Sequence, residues 1–531
     1  MTEPTELLPT RATYAPTDRV QIEVRGSAGP GELVVLRLGD EVARVPFDGI
    51  TGVVPLPELG EGCYGVELHA GGAVTRTAVE VRAASRARLR YGFTARFVPD
   101  RDPAGLADTA RRLHLNGIMF YDWAYRHVSL LGGGEQYEDA LGQPVSLDTV
   151  RRLASALQRA GSDAIGYAAV YAVAPESWEE WAHDGLYTPT GEPYSLGDFL
   201  YIVDPAAPDW LAHFSRELRE SVDAVGFDGF HLDQFGYPKS AVRGDGAVVD
   251  VAQSFVTMIE GVRSALPDAR LVFNNVNDFP TRATGPAPQD AVYIEPWEPN
   301  LTLGSLATIV SRARLAGGGK PVVIAAYQHV YDSAPAEASD RATRLTMATL
   351  YSRGGTQILA GEDDRILVDP YYVRNHVAEP STADMLVRWY DFLVEHDEIL
   401  MDPALDDVTA SYAGGYNNDC DVAFDGAVVS EEAVAGAVWR SITAARGRLV
   451  VNLINLVGQR DVLWDAPREP FGHPGTGTLR VRRLKDRVPR IRVADPDGSG
   501  RLEEIGVSLD GDHAVAALPP LQAWQLILIE L

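Results

Sequence analysis

Between about residue 88 and residue 360 the chain alternates eight short strand-like runs with amphipathic helical stretches, and this constrains its fold more than any other feature. The runs are Leu89–Phe93, Gly117–Trp123, Ala164–Val170, Gly229–Asp233, Leu271–Val276, Ala291–Trp297, Pro321–Gln328 and Thr356–Ala360. None alternates cleanly between apolar and polar residues, as expected for strands covered on both faces. Helical stripes lie between most of them. Val150, Leu153 and Leu157 form one, with Ser146 a candidate N-cap, and Leu211, Phe214, Leu218 and Val222 form another. Phe255, Ile259, Val262 and Leu266 make a third, and Met385 to Val394 reads as a long amphipathic helix after the last strand. Only 278–290, broken by Pro and Gly, is too short for a full helix. Eight parallel strands with crossovers predict a central (β/α)8 TIM barrel. A doubly wound open sheet is the competing fold, but no GxGxxG follows the first strand.

The flanks differ in texture. Residues 1–86 hold short runs such as Val20–Val24, Glu32–Leu38 and Ala73–Val81 between Gly- and Pro-bearing turns, which predicts an N-terminal immunoglobulin-like β-sandwich. The barrel is expected over 87–401. From 402 to 531 helical patterns vanish, and Leu449–Leu456, Leu479–Arg483, Arg490–Val493 and Trp524–Ile529 predict a C-terminal β-sandwich. A multidomain α/β chain of 531 residues is large enough to bury its own core.

Composition narrows the partners. A net charge of −27 disfavours nucleic acid and anionic membrane surfaces, whereas a neutral ligand such as a carbohydrate fits. Two distant cysteines, Cys63 and Cys420, exclude a disulfide framework and a cysteine zinc site; whether the two pair is open. MTEPTELLPT shows neither a basic nor an apolar signal region, so the expected location is the cytoplasm, unless a leader was trimmed. No apolar run approaches the ~20 residues needed to span a bilayer. Composition leaves the oligomeric state open.

Reactive side chains of a barrel gather at the C-terminal ends of its strands. Those ends hold Tyr121-Asp122-Trp123, Tyr171, Asp233-Gln234, Asn274-Asn275, Glu295-Pro-Trp297, Tyr327-Gln328-His329 and Glu362-Asp363-Asp364. Amides and acids bond sugar hydroxyls and rings stack on sugar faces, so this rim suits a carbohydrate. Asp228, at the start of the fourth strand, reads as a turn tie. Asp233 ends that strand, and Glu295 ends the sixth, a next-but-one neighbour in a closed barrel. Glycoside hydrolysis needs such a pair, retaining configuration at ~5–5.5 Å separation and inverting it at ~6.5–9.5 Å. Spacing in sequence leaves that choice open. Tyr293 and Trp297 flank Glu295, where an apolar wall would favour its protonated form.

The stretch Gly226-Phe-Asp228-Gly-Phe-His-Leu-Asp233-Gln-Phe-Gly236, followed by Tyr293-Ile-Glu295-Pro-Trp297, resembles glycoside hydrolase family 66, the dextranases and cycloisomaltooligosaccharide glucanotransferases. The segment Tyr121-Asp-Trp-Ala-Tyr-Arg-His127 and the order sandwich, barrel, sandwich are similar too. The resemblance implies a retaining double displacement on α-1,6-linked glucan, with Asp233 as nucleophile and Glu295 as acid/base. It also makes Tyr121, Asp122 and Trp297 candidates for holding the sugar at the cleavage point. The wider set of expected substrate-binding residues adds Trp123, His127, Tyr171, Gln234, Asn275, Gln328 and Asp364. No cofactor or metal is expected. Short barrel connections favour hydrolysis over cyclisation, and a cytoplasmic location would favour isomalto-oligosaccharides over polymeric dextran. Transglycosylation, another α-linkage, and a non-catalytic sugar-binding barrel are the alternatives.

Two weaker patterns are set aside. Asp495-Pro-Asp497-Gly-Ser-Gly500 imitates a calcium loop, but its twelfth position is Gly506 and it lies among strands, so a hairpin turn is expected. His127, His231 and His329 lie on separate strand ends without ligand spacing.

Overall fold

The structure, a computed structural model, describes residues 4–415, 418–485 and 487–531. At its centre a parallel eight-stranded sheet runs in chain order: β1 (Tyr91–Thr94), β2 (Gly117–Phe120), β3 (Asp163–Ala169), β4 (Gly229–Asp233), β5 (Arg270–Val276), β6 (Ala291–Glu295), β7 (Val322–Ile324) and β8 (Thr356–Gln357). Strands one to seven are each followed by a longer connection carrying helix, except that the β5–β6 unit holds only the short helix Thr281–Thr284. This is a (β/α)8 barrel. All eight expected strands are present, several shorter than the apolar runs that announced them.

Side chains join the seam between β8 and β1. Thr356 Oγ1 donates to Leu89 O at 2.9 Å, and the Glu362 carboxylate accepts from Thr94 Oγ1 at 2.7 Å and from the Ala95 amide. Arg101 pairs with Glu362 at 2.8 Å, keeping this buried charge compensated. A Cβ at Gly361 would lie 2.3 Å from Phe93 O, so only glycine lets the two backbones approach there.

Local signals set the helix ends. Ser146 accepts from Thr149 N at the start of Leu147–Arg159, as its sequence position suggested. The helix Pro208–Val225 ends on Gly226 at φ 84°, which turns the chain into β4. There Asp228 accepts from Ala164 N at 2.8 Å and Gln158 Nε2 at 3.0 Å, tying the entry of β4 to β3.

Before the barrel, a three-stranded sheet (Glu6–Pro9, Gln21–Arg25, Gly52–Pro55) faces a four-stranded one (Asp40–Phe47, Gly31–Arg37, Gly62–Ala70, Ala73–Val81). Val24, Leu33, Val35 and Val66 pack between them. After the barrel, sheets of seven and four strands enclose Ile442, Val451, Leu453 and Ile527. Both sandwiches bury an inner face as aligned sheet pairs do. Cys63 and Cys420 are buried, free thiols, one in each sandwich. The 495–500 segment is a turn between paired strands Arg490–Ala494 and Glu503–Glu504; Asp497 accepts from Trp389 Nε1 and pairs with Arg344. Among the described residues no helix is long and apolar enough to cross a membrane.

Candidate active site

The C-terminal ends of the barrel strands enclose a cavity of about 310 Å³. Parallel register delivers the two carboxylates to it: Asp233 pairs with Ala169 on β3, and Glu295 with Val276 on β5. Asp233 accepts from Tyr167 OH and from Asn274 Nδ2, both at 2.7 Å. Glu295 accepts from Tyr327 OH at 2.5 Å. Among the described residues, the lining contains no arginine or lysine.

Electrostatics follow from that lack of cations. Burial raises the pKa of Asp233, opposed by the hydrogen bonds from Tyr167 and Asn274 that favour its charged form. Glu295 is pushed up to about 7, first by burial and then by the Asp233 charge; contacts from Tyr327, Trp297 and Asn274 offset only part. Asp122 rises to about 8 through burial and the nearby charges of Asp139 and Asp233. It sits at φ 48°, a left-handed backbone that an aspartate tolerates at a cost. Burial lowers His231 to about 3, and burial with Arg126 nearby lowers His127 to about 4, so both rings are neutral near pH 7.

Aromatic rings form the floor and walls. His231 lies between Tyr91 and Tyr167, with Tyr293 edge-on at 4.6 Å. Tyr121 stacks on Tyr372 at 4.4 Å, and Tyr372 OH meets Tyr293 OH at 2.8 Å. Trp297 leans on Tyr327 with centroids 5.9 Å apart. At the mouth, Phe199 (41% exposed) and Tyr371 (40% exposed) line the cavity from different loops.

Of the residues expected from sequence, Tyr121, Asp122, His127, Asp233, Gln234, Glu295 and Trp297 line the cavity. Gln234 shapes its loop, donating to Asn274 O and Phe279 O. Five others lie outside the lining. Trp123 is buried against Phe227 and donates to Tyr167 O. Tyr171 donates to Tyr237 O and packs on Phe255 of the surrounding helices. Asn275 points away to Tyr293 O and Thr284, with Asn274 taking the inward place. Gln328 is buried beside Thr343, and Asp364 is exposed on the loop. The cavity is also lined by polar and aromatic residues that were not among the expected binders, including Tyr167, His231, Asn274, Tyr293, Tyr327 and Tyr372. Tyr167, His231, Asn274 and Tyr293 lie on β3 to β6, where the folded strand turns every second side chain inward.

The three histidines do not converge. His329 pairs with Asp465, away from the other two. Among the described residues one group of side chains comes within metal-ligand spacing, Cys63, Glu80 and Asp397. Arg82 and Arg90 pair with Glu80, and Arg82 and Arg88 with Asp397, so guanidinium groups already neutralise these acids.

Two carboxylates at one barrel mouth, flanked by rings and without a cation, are the equipment for breaking a glycosidic bond. The family model for glycosyl hydrolase family 66 matches residues 10–528. The chain belongs to that family. A cycloisomaltooligosaccharide glucanotransferase of Niallia circulans is 26% identical over 377 residues, 61% of this chain and 38% of that protein. A dextranase of Streptococcus salivarius is 23% identical over 322 residues, 50% of this chain and 38% of that one. The matches thus span well under half the length of either curated relative. Among solved structures, a Paenibacillus sp. cycloisomaltooligosaccharide glucanotransferase complexed with cycloisomaltoheptaose superposes with TM-score 0.88 at 19% identity, over 98% of this chain and 99% of that one. A maltogenic α-amylase of Thermotoga neapolitana reaches 0.51 at 11% identity, over 84% and 98%. At these identities the superpositions speak for the fold.

Proposed function

We propose that this family 66 enzyme is a retaining glycoside hydrolase that cleaves α-1,6-glucosidic linkages of dextran or isomalto-oligosaccharides. The observation that carries the reading is the joint placement of Asp233 and Glu295 in one cation-free cavity, with Glu295 held near pKa 7. A pair of acids in unlike environments divides acid and nucleophile roles between them. Hydrogen bonds from Tyr167 and Asn274 favour the charged form of Asp233 against its burial, which suits a nucleophile; Glu295, pushed up to about 7, suits the acid.

In the first step the Glu295 proton passes to the glycosidic oxygen. The bond from that oxygen to the anomeric carbon breaks as an Asp233 oxygen bonds to that carbon, forming a glycosyl ester. Water then attacks the same carbon, Glu295 takes its proton, and the ester bond returns its electron pair to Asp233. Protonated Asp122 and the rings of Tyr121 and Trp297 hold the sugar at the cleavage point. Phe199 and Tyr371 offer apolar faces to the sugar beyond it.

A second reading, glucanosyl transfer, is supported by the relatives that carry that name, and in it a sugar hydroxyl replaces water in the second step. Incubation with dextran, isomalto-oligosaccharides, starch and pullulan separates the readings. The proposal expects reducing ends and short isomalto-products from the first two. Larger or cyclic products would establish transfer, and no turnover on any substrate would refute an active enzyme.

A further inference from the structure

Tyr372 reaches the catalytic cavity from beyond the barrel strands. It sits on the loop of the hairpin that pairs Arg365–Leu367 with Asn375–Val377, after β8. That loop is tied down at both ends. Asn375 Nδ2 donates to Tyr372 O at 2.8 Å, and Asn375 Oδ1 accepts from Arg365 Nη1 at 3.1 Å. The Gln328 amide, after β7, donates to Leu367 O at 3.2 Å. A loop held in this way presents its ring in one place before any sugar arrives.

Inside the cavity the ring is clamped from several strands. Its hydroxyl meets that of Tyr293 on β6 at 2.8 Å. Edge contacts with Phe93 on β1, at 5.4 Å, and Tyr327 after β7, at 6.2 Å, fix its plane. One face then lies along Tyr121, at the end of β2, with centroids 4.4 Å apart and planes 9° from parallel. The other ring packed on Tyr121 among the described residues, Tyr167, is tilted by 49° at 5.1 Å. Tyr372 is 3% exposed and its hydroxyl is engaged, so it has little to offer a sugar directly. What it controls is the orientation of Tyr121.

We propose that Tyr372 is a positioning residue for the reaction: it seats the Tyr121 ring so that Tyr121 holds the sugar at the cleavage point. This deepens the proposed function and rests on it, because the sugar contact of Tyr121 comes from that reading. A stacked aromatic pair is worth enough to choose one ring orientation over others. The hairpin after β8 thereby acts on substrate binding through a residue of β2.

A double-mutant cycle in KM for isomaltotriose tests this. Tyr121→Leu and Tyr372→Leu should each raise KM about 2- to 10-fold, with most of the loss in KM and little in kcat. Combined, they should raise it no more than about twice as far as the worse single change, because both remove one interaction. Tyr372→Phe keeps the stack and should recover most of the KM lost in Tyr372→Leu. If circular dichroism shows that Tyr372→Leu does not fold, Tyr372→Met, whose flexible chain fills gaps, takes its place in the cycle. KM losses that multiply in the double variant, or an unchanged KM in Tyr372→Leu, overturn this inference alone. No turnover of isomaltotriose by the wild type overturns the α-1,6-glucan reading and the inference with it.

Discussion

Two glutamates taken out of bulk water, Glu295 and Glu80, behave in opposite ways. Glu295 ends β6 beside a second carboxylate and tyrosine hydroxyls, and its pKa rises to about 7. Burial would raise Glu80 as well, but Arg90 and Arg82 bond it directly and hold it below the ordinary range. Both sit in the same fold with the same functional group. The difference is the partner: a guanidinium fixes the charge and builds structure, whereas a like charge and neutral donors leave a proton in play. The arginine-paired acids join the first sandwich to the barrel, and the cation-free acids line its mouth.

The largest expected effect comes from breaking the mouth pair. Glu295→Gln should lower kcat by about 10²- to 10⁴-fold, and Asp233→Asn by at least as much, with the fold intact by circular dichroism. Azide added to Asp233→Gly should restore turnover and yield a β-glycosyl azide, seen by mass spectrometry and NMR.

Removing an arginine partner of Glu80 should cost stability, not chemistry. Arg90→Met leaves Glu80 buried with one partner fewer, and unfolding in urea should lose about 3–5 kcal/mol. Activity per folded molecule should stay near wild type. A large kcat loss without destabilisation would erase the distinction between the two regions.

The barrel was legible from sequence because each strand carries a compact apolar run bounded by helical periodicity. Parity was not legible. Strands buried on both faces do not alternate, so nothing in Asn274-Asn275 says which side chain turns inward. The same ambiguity affected Gln328, which lies behind the inward Tyr327. Asp233 and Glu295 stood out in the sequence because they are the last charged residues of their strands and match a known family pattern. Tyr372 gave no signal at all. It sits on a loop between the paired strands Arg365–Leu367 and Asn375–Val377, and only the folded chain brings it against Tyr121 and Tyr293.

A finer change acts on the proton of Glu295. Tyr327 donates to the charged form of Glu295 and so lowers its pKa. Tyr327→Phe removes that preference, and the acid should hold its proton to higher pH. The alkaline limb of the kcat/KM profile, expected near pH 7 in the wild type, should therefore move upward by about one unit. A downward move would contradict the assigned acid role.

The smallest effects belong to the mouth. Phe199→Ala and Tyr371→Ala should each raise KM for isomalto-oligosaccharides roughly 2- to 10-fold with little change in kcat, since ring contacts are worth about 0.5–1.5 kcal/mol. Steady-state kinetics on a length series would show whether the loss grows with the chain.

In the proposed double displacement Asp233 is the nucleophile and Glu295 the acid/base. Proton NMR of the first-formed product from an α-1,6-linked oligosaccharide, recorded before mutarotation, tests it directly. An α-configured new reducing end is expected. A β-configured one would mean a single inverting displacement, with Asp233 acting on water instead of on the sugar.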